Sequence, residues 1–318
     1  MKQKLPLLIL AVVIAAALGY FFLFNGSLKA SGERPALPAQ LEPTSSAPVV
    51  DEGEEAPAVV LADVDAAPLP LSQRFEQSRD LRAFVADLRS AYDAGDPDAR
   101  WWTYRTYEYC KGYTTNPAYF TRDTERTEGF APEVATAWKA SRERLAAKCS
   151  GFQPSEVASI AALAKMLADA NEAGSVAAAA QLFANQQVLL AAQIGGDNKG
   201  AFSESEARKL IERVAQSGDP QAFLSISSAM GMPSLGRDRP SNEVSGSEEA
   251  MYAWQLAACK RGLDCSAQGA LMTQYCANGG ICGPYNDLRG LIFDGLVPRG
   301  EAARIEKLIN QVLHLKGA

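Results

Sequence analysis

The chain has 318 residues, of which 47% are hydrophobic and 21% charged, with 31 Lys and Arg, 37 Asp and Glu and a single histidine. The formal net charge of -6 argues against a nucleic-acid binder, because binding to phosphates requires clustered positive charge. The high hydrophobic fraction argues against disorder throughout the chain. The length suffices for two average domains or for one extended repeat array.

An uncharged apolar run occupies residues 5–24, after Lys2 and Lys4. A helix of this length spans a hydrocarbon core of roughly 30 Å. The alternative is a cleavable signal peptide, whose apolar region is usually only about 7 to 15 residues long. The N-terminal lysines predict that residues 1–4 are cytoplasmic and that the body lies on the other side of the membrane. We therefore predict a single-pass protein of a bacterial inner membrane, with its body in the periplasm.

Residues 25–73 are rich in proline, alanine and acidic residues. Residues 1–73 contain 4 basic and 8 acidic side chains, which leaves 27 basic and 29 acidic side chains for residues 74–318. Such a composition predicts a disordered, self-repelling linker. It serves either as a spacer that holds the body away from the membrane or as a recognition tail.

The remainder, residues 74–318, has helical periodicity almost throughout and no convincing alternation of apolar and polar residues, which predicts an all-α body. Four groups of apolar residues have the spacing of one helix face: Leu81, Phe84, Val85 and Leu88; Val157, Ile160, Ala161, Ala164 and Leu167; Ala207, Leu210, Ile211 and Val214; and Ile305, Leu308, Ile309 and Val312.

Helix starts share a sequence signature. Gly95-Asp96-Pro97 and Gly218-Asp219-Pro220 each place glycine after one helix, aspartate at the N-cap and proline at the first position of the next helix. Gly174-Ser175-Val176 is a degenerate copy with serine as the cap. The glycines are 79 and 44 residues apart, close to two and one units of about 40 residues, as in solenoids built from helix pairs.

The Gly-Asp-x-x-Ala pattern of these helix starts resembles tetratricopeptide-like repeats of the Sel-one-like subgroup. The resemblance covers Gly95–Ala99, Gly174–Ala178 and Gly218–Ala222. It implies an α-solenoid-like array of helix pairs that acts as a protein-binding scaffold and has no common catalytic residues. The alternative is a set of ordinary capped helices in an irregular bundle.

The densest aromatic segment extends from Trp101 to Phe120. One helical stripe cannot bury all of its rings, so we expect some to be exposed and to serve a protein interface or a glycan groove. The alternative is packing between repeats, against the connection of residues 111–130. The candidate binding residues are Trp101, Trp102, Tyr104, Tyr109, Tyr113 and Tyr119.

Six cysteines, Cys110, Cys149, Cys259, Cys265, Cys276 and Cys282, lie outside the predicted anchor. An even number in an oxidising compartment predicts three disulfides. Predicted helices at 248–260 and 266–276 would separate Cys259 from Cys276 by about 16 Å, beyond the limit of ~7 Å between bridged Cα atoms. We therefore predict the pairs 259–265, 276–282 and 110–149, the last of which requires residues 111–130 to run back along the preceding helix.

Catalytic signatures are lacking in the sequence. The lone His314 lies near the end of the last predicted helix, where a solvated side chain is the ordinary outcome. The cysteine spacing does not match a zinc site, so we predict no metal, no cofactor and no catalytic residue. Asp264, Asp287 and Asp294 lie in the cysteine-rich end of the chain, where Asp287 and Asp294 have turn-like neighbours and a cap is the commoner role.

The sequence thus predicts a membrane-anchored scaffold for another envelope protein, with no nucleic-acid partner. The alternative is a cell-wall glycan-binding or glycan-cleaving protein that uses residues 101–120 together with carboxylates.

Overall fold

The computed structural model describes residues 69–156, 158–191, 202–232 and 244–315. The predicted anchor at residues 5–24 and almost all of the predicted linker lie outside these ranges. Within them, no helix combines the length and apolar character needed to cross a bilayer. The described residues contain 13 α-helices and no strand, which confirms the all-α prediction.

The helices in chain order are α1 (Leu71–Gln77), α2 (Leu81–Asp93), α3 (Pro97–Thr114), α4 (Pro117–Thr124), α5 (Pro132–Cys149), α6 (Ile160–Glu172), α7 (Val176–Ala191), α8 (Glu204–Ser217), α9 (Pro220–Met230), α10 (Glu248–Lys260), α11 (Ala270–Gly279), α12 (Leu288–Gly290) and α13 (Ala302–Leu313). A π-helical turn, Leu291–Leu296, follows α12 directly. The first helix begins three residues before the predicted domain boundary, and its Phe75 lies in the core, where it is 2% exposed.

Three helix hairpins use the same kind of turn. The α2–α3 turn has Gly95 at φ 87° and Asp96 accepting from the Ala99 amide at 2.7 Å. In the α6–α7 turn, the Ser175 hydroxyl accepts from the Ala178 amide at 3.2 Å. In the α8–α9 turn, Asp219 accepts from the Gln221 amide at 2.9 Å. Each cap satisfies an otherwise unpaired N–H of the first turn, so the helix starts predicted from sequence are present.

Neighbouring helices form a continuous series of contacts. Helix α3 packs on α2, α5 and α6, α7 packs on α6 and α9, and α10 packs on α9 and α13. Helix α11 packs along α5. The position of α3 between three neighbours determines where its side chains go.

One predicted helix face is wrong. On α6 the buried residues are Leu163, Leu167 and Ala170, whereas Ile160 is 46% exposed. The predicted face, with Ile160 and Leu167, is as apolar as the buried one, and the packing of α6 on α3 and α7 determines which residues are buried.

All three disulfides are formed in the predicted pairs. Cys110 bridges Cys149 with Cα atoms 5.5 Å apart. The local pairs Cys259–Cys265 and Cys276–Cys282 have Cα separations of 5.7 and 4.6 Å.

Candidate functional site

Most of the aromatic segment is core rather than surface. Trp101, Trp102, Tyr104 and Tyr109 are 3%, 6%, 7% and 0% exposed. The expectation that some rings of the segment are exposed is met by Tyr119 on α4 and not by these four, because α2, α5 and α6 cover several sides of α3. For these four residues the packing alternative applies, and they do not present a binding face.

The buried rings pack on each other and on α1. Phe75 has its ring centroid 5.1 Å from that of Trp102 and 5.5 Å from that of Tyr109. Trp101 and Tyr104 are 5.5 Å apart by the same measure. Such ring pairs contribute about 0.5–1.5 kcal/mol beyond the area that they bury, so this segment stabilises the fold.

The two remaining candidates lie at or beyond the end of α3. Tyr113 is partly buried against Phe120, with ring centroids 5.5 Å apart. Tyr119 is 47% exposed. It lies on α4, which starts at the Asn116 cap, where the Asn116 side chain accepts from the Tyr119 amide at 2.9 Å.

Aromatic side chains lie around α4 and the start of α5. We call Tyr119, Arg122, Phe130 and Trp138 the α4–α5 surface, in which the first three side chains are exposed and Trp138 is half-buried. Phe130 is 42% exposed and meets Trp138 edge to face at 5.9 Å, while the Arg122 guanidinium lies 5.8 Å from the ring centroid of Tyr119. Exposed aromatic and arginine side chains are typical of the residues that dominate protein interfaces.

Arg142 supports this surface from below. Its side chain is 6% exposed, and its guanidinium lies 3.6 Å from the Phe120 centroid and 4.6 Å from that of Trp138. Its three nitrogens donate to the Thr124 hydroxyl at 2.8 Å, the Phe120 carbonyl at 2.8 Å and the Ala277 carbonyl at 3.1 Å.

Burial lowers the pKa of Arg142, and Asp123, whose carboxylate is 3.3 Å away, opposes that shift. A guanidinium with so many partners holds α4, α5 and α11 in one arrangement. The α4–α5 surface is therefore rigid at its base.

A second polar cluster lies between α11 and the layer formed by α1, α3 and α5, and its charged side chains are partly buried. The Glu76 carboxylate accepts from the Ala270 amide at 3.0 Å. Arg105 donates to Gln274 at 2.6 Å, and Arg144 donates to the Thr273 hydroxyl at 3.0 Å. Lys148 donates to the carbonyls of Phe75 and Glu76 at 3.3 and 2.6 Å.

Burial governs the protonation of this cluster. It raises the pKa of Glu76, partly offset by the Ala270 amide and Lys148, and it lowers the pKa of Lys148. The pKa of Tyr109 is raised by burial and by Glu76. Among the described residues, the Tyr109 hydroxyl has no hydrogen-bond partner of normal geometry.

No group of three His, Cys, Asp or Glu side chains within the described ranges is arranged to hold a metal ion. Asp287 caps α12 by accepting from the Gly290 amide at 2.7 Å, and Asp264 accepts from the Ser266 amide at 2.9 Å, which are cap and turn roles. His314 is exposed, and its Nδ1 lies 2.8 Å from the Asn310 carbonyl at the end of α13.

Neither a protein-family model, nor a curated protein, nor a solved structure matches the chain.

Sequence reasoning missed Phe130, Trp138, Arg142 and Glu76. No local motif marks them, since their importance comes from long-range contacts. The one available signal was the length of the predicted connection at residues 111–130, which the structure divides between the end of α3, helix α4 and the loop that contains Phe130.

Proposed function

We propose that this protein is a membrane-anchored scaffold in a bacterial envelope, with residues 5–24 in the inner membrane and the helical body in the periplasm, where it binds another protein. The observation that carries the proposal is the α4–α5 surface. Tyr119 and Phe130 leave 47% and 42% of their area exposed, on a stretch of chain that the buried side chains of Phe120, Thr124 and Arg142 fasten to the body. Large exposed rings on a rigid base lose little conformational entropy on binding.

Two further features support this proposal. Three disulfides suit an oxidising compartment. Three hairpins with matching turns favour an array of helix pairs of the tetratricopeptide-like kind, which offers extended binding surfaces. A flexible tether would raise the effective concentration of a bound partner near the membrane.

Glycan cleavage has weaker geometric support. Glu76 and Asp264 interact electrostatically, and a raised pKa suits a general acid. The Glu76 carboxylate, however, already accepts from the Ala270 amide at the start of α11 and lies beside Tyr109, which has no exposed area, so its contacts are those of a structural group.

Crosslinking of the full-length protein in intact cells tests the proposal, with detergent extraction, capture and mass spectrometry. Wild type is compared with the Tyr119→Ala/Phe130→Ala variant. We expect one reproducible protein adduct whose yield falls at least about tenfold in the variant, because an aromatic anchor contributes about 2 kcal/mol or more.

The matched control is Ile160→Ala/Leu296→Ala, which removes two other exposed apolar side chains, 46% and 41% exposed. It should leave the adduct unchanged. Equal loss in both variants, or recovery of glycan fragments without protein, would contradict the proposal.

A further inference from the structure

One exposed stretch of extended chain joins the π-helical turn to α13. Leu296 is 41% exposed, and Pro298, Arg299 and Gly300 are exposed as well. Val297 has φ -112° and ψ 148°, and Pro298 has φ -60° and ψ 143°, which are extended backbone angles. A protease binds its substrate in the same way, as an extended chain laid beside a strand of the enzyme.

The sequence of this stretch matches the preference of one class of protease. Leu296-Val297-Pro298-Arg299-Gly300 places an arginine after a proline and two apolar residues. A trypsin-like serine protease binds the arginine in a pocket with a carboxylate at its base, and apolar neighbouring pockets accept the proline and the leucine. Proline also fixes φ at about -65°, so the chain loses little conformational entropy in the cleft. Among the 17 prolines of the chain, Pro298 alone precedes an arginine or a lysine.

Few contacts hold the peptide bond between Arg299 and Gly300 in place. It lies in a 3₁₀ turn, Arg299–Glu301, in which the Glu301 amide donates to the Pro298 carbonyl at 2.9 Å. The Arg299 side chain makes no ion pair or hydrogen bond with any described residue. A Cβ at Gly300 would meet no atom within 4 Å. Unwinding of this single turn therefore suffices for cleavage, and the rest of the body can stay folded.

Arg126 and Arg261, which also lie outside the helices, are presented less well. Arg126 follows Glu125, whose charge does not suit an apolar pocket and which is ion-paired with Lys139 at 2.6 Å. Arg261 lies in the turn that the Cys259–Cys265 disulfide closes, so the chain there cannot be drawn out into a cleft. The stretch at residues 296–301 is free of both constraints.

A cut after Arg299 would separate α13 from the rest of the chain. Helix α13 packs on α10, and Glu306 pairs with Arg289 and, at 3.9 Å, with Lys260. The buried side chains of α13, each at most 8% exposed, are Ile305, Leu308, Ile309 and Val312. These contacts hold α13 in place after the cut, but they then act between two separate chains. The occupancy of the α13 position therefore depends on concentration.

We propose that residues 296–301 are a processing site for a trypsin-like serine protease, and that the cut converts α13 from a permanent part of the body into one that a second copy of the helix can replace. Water adds across the Arg299–Gly300 peptide bond and leaves a carboxylate on Arg299 and an amine on Gly300. This role is independent of the α4–α5 surface, whose residues lie on other helices.

Thrombin, a protease of this class, tests the inference on the full-length protein in detergent micelles, with the fragments identified by mass spectrometry. We expect a first cut into residues 1–299 and 300–318, at a rate within about tenfold of that for a synthetic peptide of residues 292–304. If cleavage required unfolding of the whole body, the rate would fall by about a thousandfold or more, the usual equilibrium constant for unfolding a domain.

Arg299→Gln removes the charge that the protease pocket binds and should abolish this cut. Arg126→Gln is the matched control at another exposed arginine and should be cut like wild type. A rate more than about tenfold below that of the peptide, or a first cut at another bond, would overturn the inference.

Replacement of α13 is tested with a fluorescein-labelled peptide of residues 300–318, whose binding is followed by fluorescence anisotropy. The peptide should bind to the cut protein and not to the uncut protein, in which the tethered α13 occupies its place at a high effective concentration. Equal binding to both forms, or binding to neither, would contradict the exchange of α13.

Discussion

Gly151 approaches Asp80 so closely in this fold that there is no room for one additional carbon atom. Asp80 caps α2 by accepting from the amides of Arg82 and Ala83 at 2.9 and 3.2 Å. Gly151 lies directly beside this cap, and a Cβ there would be 2.5 Å from the Asp80 Oδ1. Because glycine has no Cβ, Gly151 leaves enough room for the Asp80 carboxylate to cap α2.

We expect Gly151→Ala to push the Asp80 carboxylate off the helix end and to lower the free energy of unfolding by about 1–2 kcal/mol, the cost of losing an N-cap. Urea unfolding followed by circular dichroism measures the change. Gly300→Ala is the control, because a Cβ there meets no atom within 4 Å. If both variants unfold at the same urea concentration, the steric argument is wrong.

The three disulfides constrain the unfolded chain to different degrees. Cys110 and Cys149 are 39 residues apart, whereas each of the other pairs is separated by 6. The entropy that a crosslink removes from the unfolded state grows with the logarithm of the loop, so the long bridge contributes about 4 kcal/mol and each short one about 2 kcal/mol.

Replacing Cys110 and Cys149 together with alanine should therefore destabilise the body about 2 kcal/mol more than replacing Cys259 and Cys265 together. Comparing the urea midpoints and slopes of the two double variants with wild type measures the difference. A larger loss from the short pair would mean that native packing around that turn, rather than chain entropy, dominates.

Local signals explain what the sequence could predict at the scale of helices. The Gly-Asp-Pro starts at Gly95 and Gly218 depend on neighbouring atoms only, and both are present in the fold. The disulfide pairs followed from helix length. The face of α6 and the burial of Trp101 and Tyr109 depend on which helices pack where, and a single helix does not contain that information.

The candidate site, too, depends on which helices pack together, and this information is absent from any single helix. Tyr119 was a candidate from composition, but Trp138 and Arg142 joined it only because α4 folds back on α5. Arg142 contacts Phe120, 22 residues before it, and Ala277, 135 residues after it. Contacts between residues so far apart in the sequence form the α4–α5 surface, and no local sequence pattern indicates them.

For the molecule as a whole, the disulfides contribute a large share of the stability. By the loop-entropy relation all three together contribute about 8 kcal/mol, while domains of this kind have a net stability of about 5–15 kcal/mol. A reduced body would thus lose about half of its stability or more, which links the fold to the compartment in which it forms.

This link gives a test of the proposed location in cells. With residues 5–24 present, the six cysteines should be bridged and should not react with a maleimide-polyethylene glycol reagent under denaturing conditions. Deleting residues 2–24 should leave the body in the reducing cytoplasm, where we expect six reactive thiols, seen as a stepwise gel shift. The level of intact protein should be sharply lower, because the reduced body is unfolded more often and is degraded.

The control is a variant in which all six cysteines are replaced by alanine. It should be unstable with or without residues 2–24, which separates loss of the bridges from loss of the anchor. A deletion variant that accumulates as a folded, fully reduced protein would show that the body does not depend on its bridges, and the argument for an oxidising compartment would fail.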